Sequence, residues 1–384
     1  MLYWGEKSIC EVTAMPAGLY IHIPFCPRRC DYCDFYTMTG RGDLFGPYTA
    51  GLLRAMELGP LPAGSAVDTV YFGGGTPTML GAERLCRVLE GIRRRYALAP
   101  DAEITLEANP VAITPQMAAR LREGGFNRIS MGLQSSDPAQ LRDLGRTHTA
   151  EKAAEAVGIV RAAGFENLSL DLMLGLPHQT PEEVLASVRF AVELGAVHLS
   201  AYMLQLEEGT PYAARYTEAD IDEEIQRAIY LSTVAELERQ GFEQYEISNF
   251  ARPGYRSRHN LRYWQGGEYL GVGPAAASCL NGRRFVFPRD IDGFLKAENP
   301  WALCADEGEA GSPEERVMMA LRLREGLDCA ALEKACPGFD TAPLLARAKA
   351  PELRGLVNVS GERIALTPEG FLVSNALIAR LLWG

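Results

Sequence analysis

The sequence predicts an α/β protein: a partial (β/α)6 barrel, a C-terminal extension of that barrel, and a small winged-helix-like α+β domain. Three observations predict it. From Leu19 to about Gln240, short apolar runs alternate with longer segments whose apolar residues fall at three-and-four spacing. Strand-helix units in series need a parallel sheet, and repeated right-handed crossovers curl such a sheet towards a barrel. After Gly241 the rhythm changes to short apolar runs rich in glycine and aromatics. A doubly wound open sheet is the alternative for the first part. At 384 residues the chain exceeds what one small core organises.

Residues 1–18 are an N-terminal extension that lacks the basic segment and continuous apolar run of a secretory signal. With no window as long as a membrane span, a cytoplasmic location is expected. The barrel, 19–240, has predicted strands at Leu19–Ile23, Val67–Phe72, Glu103–Ala108, Arg128–Leu133, Asn167–Leu172 and Val197–Leu204. Helical patterns occupy Ala82–Tyr96, Pro115–Glu123, Ala150–Ala163, Pro181–Leu194 and Glu218–Gln240. Thr114-Pro115 and Thr180-Pro181 each put a hydroxyl at the N-cap and proline at the first helical position, where its missing donor costs nothing. Gly124-Gly125, Gly164, Gly195 and Gly241 stand where helices should stop.

The extension, 241–307, is expected to add strands and loops along one edge of the barrel. Gly308–Pro313 reads as a linker into the C-terminal domain, 308–384. There the pattern gives helices at Pro313–Arg324, Ala330–Ala335 and Thr341–Ala350, strands at Leu356–Val359 and Arg363–Leu366, and a last helix from Pro368. That order resembles a winged helix. The net charge of -11 argues against a nucleic-acid partner, since phosphate contacts need concentrated Lys and Arg. A packing or partner-binding role is expected for this domain instead.

Nine cysteines in a cytoplasmic chain do not suggest disulfides, and the odd number leaves one over. Only Cys26, Cys30 and Cys33 cluster, on the loop that follows the first strand. Three thiolates at spacings of four and three suit a 4Fe-4S cubane with one iron left open for a ligand. Three structural cysteines, or half of a zinc site, are the alternatives; no second Cys-x-x-Cys pair follows. Gly73-Gly74-Gly75-Thr76-Pro77 closes the second strand, where barrel sites form and where a backbone free of Cβ atoms can touch a ligand. Glu107, Gln134 and Asp171 end later strands and Arg146 follows Gln134, so all should converge on the mouth that carries the cysteine loop. They supply carboxylates for ribose hydroxyls, an amide for an adenine or ribose edge, and a guanidinium for a carboxylate.

Together these residues resemble the radical S-adenosylmethionine superfamily, in the branch that holds oxygen-independent coproporphyrinogen III oxidases and heme chaperones. The resemblance runs from Leu19 to the last helix. It implies Cys26, Cys30 and Cys33 as ligands of a 4Fe-4S cluster whose open iron takes the amine and carboxylate of S-adenosylmethionine. It also implies contacts to that cofactor from Tyr20, Tyr32, Gly74, Gly75, Thr76, Glu107, Gln134, Arg146 and Asp171. In that chemistry one electron from the cluster cleaves the sulfonium and a 5′-deoxyadenosyl radical results.

Two features separate the branches. The oxidases resemble Cys-x-x-x-Cys-x-x-Cys-x-Cys, and this chain has Phe35 at the fourth cysteine. His259-Asn-Leu-Arg-Tyr-Trp264 matches the His-Asn-x-x-Tyr-Trp signature of the chaperones, which implies His259 as a heme ligand with Tyr263 and Trp264 packing on the porphyrin. The plain alternative is a histidine that hydrogen-bonds within a loop packed on the barrel. His22 suits a proton donor or an inward-facing, hydrogen-bonded neighbour of the cluster loop, while His148, His178 and His198 have no assigned role. The resemblance therefore implies a heme chaperone that transfers heme to apo-hemoproteins such as respiratory enzymes. The partners are heme, those proteins and an electron donor, with peripheral membrane contact and a homodimer as further expectations. An oxidase that decarboxylates coproporphyrinogen III, or a radical enzyme that modifies heme, are the alternatives, and whether the chain acts as an enzyme stays open.

Overall fold

The computed structural model describes residues 16–384, so most of the N-terminal extension, with Cys10, lies outside the described residues. Six parallel strands build the barrel wall: β1 (Ala17–Ile23), β2 (Ala66–Gly74), β3 (Ala97–Ala108), β4 (Arg128–Gln134), β5 (Asn167–Leu174) and β6 (His198–Met203). They lie side by side in chain order, with a helix between each pair and the next. The wall is a partial barrel of the predicted α/β class.

Period-two alternation gives this wall two unlike faces. Leu19, Val70, Leu106, Ile129, Leu170 and Leu199 are at most 1 % exposed and pack under the surrounding helices. Burying each such side chain contributes roughly 1.5–3 kcal/mol, so this face fixes the register. The alternate positions Tyr71, Glu107, Arg128, Ser130, Asp171 and Ser200 face the concave side. An ordinary barrel interior is filled by branched apolar residues. This one is polar, which suits a lumen that receives ligands.

Local chemistry sets the helix ends where the sequence placed them. Thr114 Oγ1 accepts from the Met117 amide at 3.2 Å, and Thr180 accepts from Glu183, whose carboxylate returns to the Thr180 amide at 2.9 Å. Gly125 takes the left-handed conformation, φ 97°, that closes its helix. The helix Phe45–Leu58 had no counterpart among the predicted elements, and it buries Tyr48, whose hydroxyl donates to the His22 carbonyl at 2.6 Å. The helix expected over Glu218–Gln240 starts later, at Glu223, because the Asp222 carboxylate caps the amides of Glu224 and Ile225.

The extension corrects the expectation of strands along one edge: both edges receive them. β7 (Glu243–Gln244) and β8 (Asn249–Ala251) pair antiparallel beyond β6. β9 (Tyr269–Val272) then runs parallel to β1 on the opposite edge, followed by β10 (Ala277–Leu280), β11 (Arg283–Val286) and β12 (Ala305–Glu309). A half-closed sheet has two edges of unpaired backbone groups, and the chain covers each in turn. Between these strands the helix Arg258–Trp264 crosses the N-terminal end of the barrel. Its first amides, from Arg258 and His259, donate to the Glu103 carboxylate, and Arg262 pairs with Asp68. Helix and barrel floor are thereby joined.

The C-terminal part carries the antiparallel sheet β13 (Leu327–Asp328), β15 (Arg363–Leu366) and β14 (Val357–Ser360), in that spatial order, with short helices around it. It docks through backbone bonds, Ile247 N–H to Arg322 C=O at 3.0 Å and Arg324 N–H to Tyr245 C=O at 3.1 Å. Arg227 adds an ion pair to Glu369. The last helix is two, Pro368–Leu372 and Ser374–Trp383, broken at Val373. No helix among the described residues is long and apolar enough to cross a membrane.

Candidate functional site

β1 delivers the chain to the cysteine loop above the C-terminal strand ends. The loop is pinned at its base and its far side. Cys26 N–H donates to Met38 C=O at 2.8 Å and Met38 N–H to Pro24 C=O at 2.7 Å. The Asp31 carboxylate takes Arg215 Nη1 at 2.7 Å, while its carbonyl accepts from the Tyr212 amide. Cys26, Cys30 and Cys33 consequently face one cleft of about 1140 Å³.

The three thiols are free. Among the described residues no three Cys, His, Asp or Glu groups close to single-ion distance. A cubane is a wider object than an ion and takes each sulfur on a different iron, so an open triad is what it needs. Burial pushes the Cys26 thiol up to about 11 and raises that of Cys33, and a bound metal would favour the thiolate form of both. Arg146 Nη1 donates to Cys30 Sγ at 3.4 Å and Thr76 Oγ1 lies 3.4 Å from Cys26 Sγ. Donors around sulfur fit an anionic cluster.

The glycine run is shaped by contact with this loop. Gly74 has φ 109°, and a Cβ on it would sit 2.5 Å from the His22 ring. On Gly75 a Cβ would meet the Phe25 carbonyl at 2.8 Å, where the Thr76 amide already bonds that oxygen at 2.7 Å. Glu107 bridges the same turn to the wall. Its carboxylate accepts from Tyr71 OH at 2.8 Å and from the Gly74 amide at 3.1 Å. Burial nonetheless pushes Glu107 up to about 7, and burial raises Asp171 as well, with Ser130 donating to it at 3.2 Å. Gln134 sits at φ 68° beside a break in register between β4 and β5, a conformation uncommon outside glycine and concentrated at sites. Arg146 Nη2 donates to the Gly132 carbonyl at 2.9 Å, which sets the guanidinium between that strand and Cys30.

Of the residues singled out from the sequence, Tyr32, Gly74, Gly75, Thr76, Glu107, Gln134, Arg146 and Asp171 border the cleft with the three cysteines. Tyr20 stands behind it, donating to His22 Nδ1 at 3.0 Å. His22 Nε2 then donates to the Tyr36 carbonyl at 3.2 Å, and burial pushes the imidazole down to about 4. It is a neutral support of the loop, the second of the two roles expected for it.

His259 lies elsewhere. It belongs to the helix across the barrel floor, is 1 % exposed, and stacks on Tyr71 with centroids 5.2 Å apart. Its Nδ1 is 2.9 Å from Thr69 Oγ1 and its Nε2 is 2.8 Å from Tyr263 OH. Both nitrogens are engaged, so neither offers a lone pair to a heme iron in this conformation. Of this helix only Asn260 borders the cleft.

Sequence inspection missed several residues that the cleft contains. Tyr71 and Arg128 lie on its inner wall, and Leu372 and Val373 of the broken last helix form its far side, while Phe35, which the sequence did single out, stands 65 % exposed at its rim. The wall residues had a signal, the polar member of each alternating strand. The far side had none, because it joins the site from more than two hundred positions away.

Comparison with known proteins agrees with this architecture. Residues 20–191 match the radical SAM superfamily and residues 312–373 the HemN C-terminal domain. The chain is 37 % identical to a protein named heme chaperone HemW from Mycobacterium tuberculosis, over 98 % of this chain and 97 % of that one. It is 39 % identical to heme chaperone HemW of Escherichia coli, over 69 % of this chain and 70 % of the relative. The solved structure of the Escherichia coli coproporphyrinogen III oxidase HemN superposes with a TM-score of 0.81, covering 96 % of this chain and 90 % of the other at 24 % identity, a likeness of fold. The chain therefore belongs to the radical SAM superfamily, in the HemW family.

Proposed function

We propose that the protein binds heme in the large cleft and passes it to apo-hemoproteins, while holding a 4Fe-4S cluster on Cys26, Cys30 and Cys33 with S-adenosylmethionine beside it. The observation that carries this reading is the cleft itself. At about 1140 Å³ it exceeds the roughly 300–1,000 Å³ of a single small-molecule site, so a second ligand fits beside the cofactor. Phe35, Met203, Leu204, Leu372 and Val373 give its outer half an apolar lining suited to a flat macrocycle. The near full-length similarity to proteins named heme chaperone supports the same assignment.

Within this reading the chain's own residues orient and enclose. Tyr32, Gly74, Gly75, Thr76, Glu107, Gln134, Arg146 and Asp171 hold the cofactor, and Tyr20 keeps His22 against the cysteine loop. The cluster, when bound, supplies one-electron reduction from an external donor. The barrel 19–240 and the extension 241–307 form the cup, and the unit 308–384 lends it a wall. Free thiols suit a cytoplasmic setting. Phe35, where the oxidases have a fourth cysteine, sets this chain apart from porphyrinogen decarboxylation. The test is anaerobic reconstitution with heme, followed by mixing with an apo-hemoprotein. Heme that stays intact and moves to the acceptor supports the proposal; conversion of coproporphyrinogen III to protoporphyrinogen IX by the reduced protein overturns it.

A further inference from the structure

The floor of the cleft holds a guanidinium with no hydrogen-bond or ion-pair partner among the described residues. Arg128, at the start of β4, is 1 % exposed and lines the cleft. It forms no hydrogen bond and no ion pair with any described residue, and its Nε is among the buried atoms left without a partner. Arg146 and Arg262 also leave Nε unpartnered, but each is engaged through its Nη groups, as Arg128 is not. The two acids nearest in electrostatic terms feel its charge at a distance but bond other groups, Glu107 to Tyr71 and Gly74, and Asp171 to Ser130. A guanidinium taken out of water and left unpaired is costly, so it points to a partner that arrives from outside.

We propose that Arg128 is a carboxylate anchor at the floor of the cleft, receiving a carboxylate of a ligand that enters from the side of the cysteine loop. The planar fork of arginine matches a carboxylate in two parallel bonds. The surroundings favour a single negative charge: Glu107 and Asp171 would repel a phosphate dianion more strongly than a carboxylate, and Tyr202 and Asn260 offer neutral hydrogen-bonding groups to the latter. Two ligands of the cleft carry that group, the methionyl end of S-adenosylmethionine and the propionates of heme. The second source rests on the heme-binding reading above.

The test uses the full-length, cluster-reconstituted protein under anaerobic conditions, titrated with S-adenosylmethionine, with heme, and with heme whose two propionates are methyl esters. If a propionate is the guest, the parent protein binds heme about tenfold or more tightly than the ester, and Arg128→Gln binds both alike at the ester's affinity. If the methionyl carboxylate is the guest, Arg128→Gln loses about tenfold for S-adenosylmethionine and the ratio of heme to ester stays as in the parent. Arg128→Lys, which keeps the charge without the fork, should fall between, and it carries the comparison if the glutamine variant does not fold. A folded variant with every affinity as in the parent overturns the anchor. A parent protein that binds no heme sinks the heme reading, and the S-adenosylmethionine titration then decides the anchor alone.

Discussion

Glu107 combines two demands that oppose each other. It must accept hydrogen bonds, which favours the carboxylate, and it is buried, which favours the acid. With its ionisation pushed up to about 7, a ligand hydroxyl or amine that needs the carboxylate should bind less well as pH falls. Affinity for S-adenosylmethionine, measured by equilibrium dialysis, is expected to weaken by up to about tenfold per unit below that point, and Glu107→Gln should remove the dependence. His259 invites a second measurement. Removing it strands the Thr69 and Tyr263 hydroxyls in a buried place, a loss of roughly 1–3 kcal/mol for each group left unsatisfied. His259→Ala should therefore lower the melting temperature by several degrees while leaving the Soret band of bound heme in place. A shifted Soret band at unchanged stability would instead restore the histidine as a ligand.

Elements translate these side chains into geometry. The glycine turn at the end of β2 lies so close to the cysteine loop that no side chain fits between them. Gly74→Ala would drive a methyl into the His22 ring and force a positive φ on alanine, so a loss of roughly 2–4 kcal/mol and failure to retain S-adenosylmethionine are expected, by thermal melting and dialysis. The Thr180-Pro181 start was readable from two letters because a cap is a local hydrogen bond, and the structure has that bond. Arg128 was not readable, although it stands in a strand placed correctly from its apolar alternation. Alternation tells which face a residue takes; it does not tell whether the neighbours on that face satisfy it. The same holds for His259, whose motif is visible in sequence while its seat on the barrel floor depends on Glu103 and Thr69.

At the scale of the molecule, the seam between barrel and C-terminal unit contains Glu246, which forms an isolated bridge to Leu323. Burial pushes Glu246 up to about 7, from 4.5 in a solvated glutamate. Its folded value is the higher one, so its contribution to stability is complete below about pH 4.5 and is lost as pH rises through 7. The size is of order 1–3 kcal/mol. Glu246→Gln should flatten part of the decline in melting temperature over that window, and proteolysis at the 310–312 connection between β12 and the next helix should become less dependent on pH; an unchanged profile would mean that the seam does not feel this group.

Some properties followed from sequence alone because they are set by neighbours along the chain. Cys26, Cys30 and Cys33 share one loop, the caps lie three residues from their partners, and period-two alternation assigns a face to each strand residue. Those are distances that covalent geometry limits to a few ångströms. Tertiary structure decided the rest. It split the extension between two edges, set His259 under the barrel with both nitrogens occupied, brought Val373 and Phe35 to one cleft, and left Arg128 buried with no hydrogen-bond partner among the described residues. Each depends on which distant segments meet, and that is fixed by burial of the common apolar face, to which the polar residues of the site contribute little.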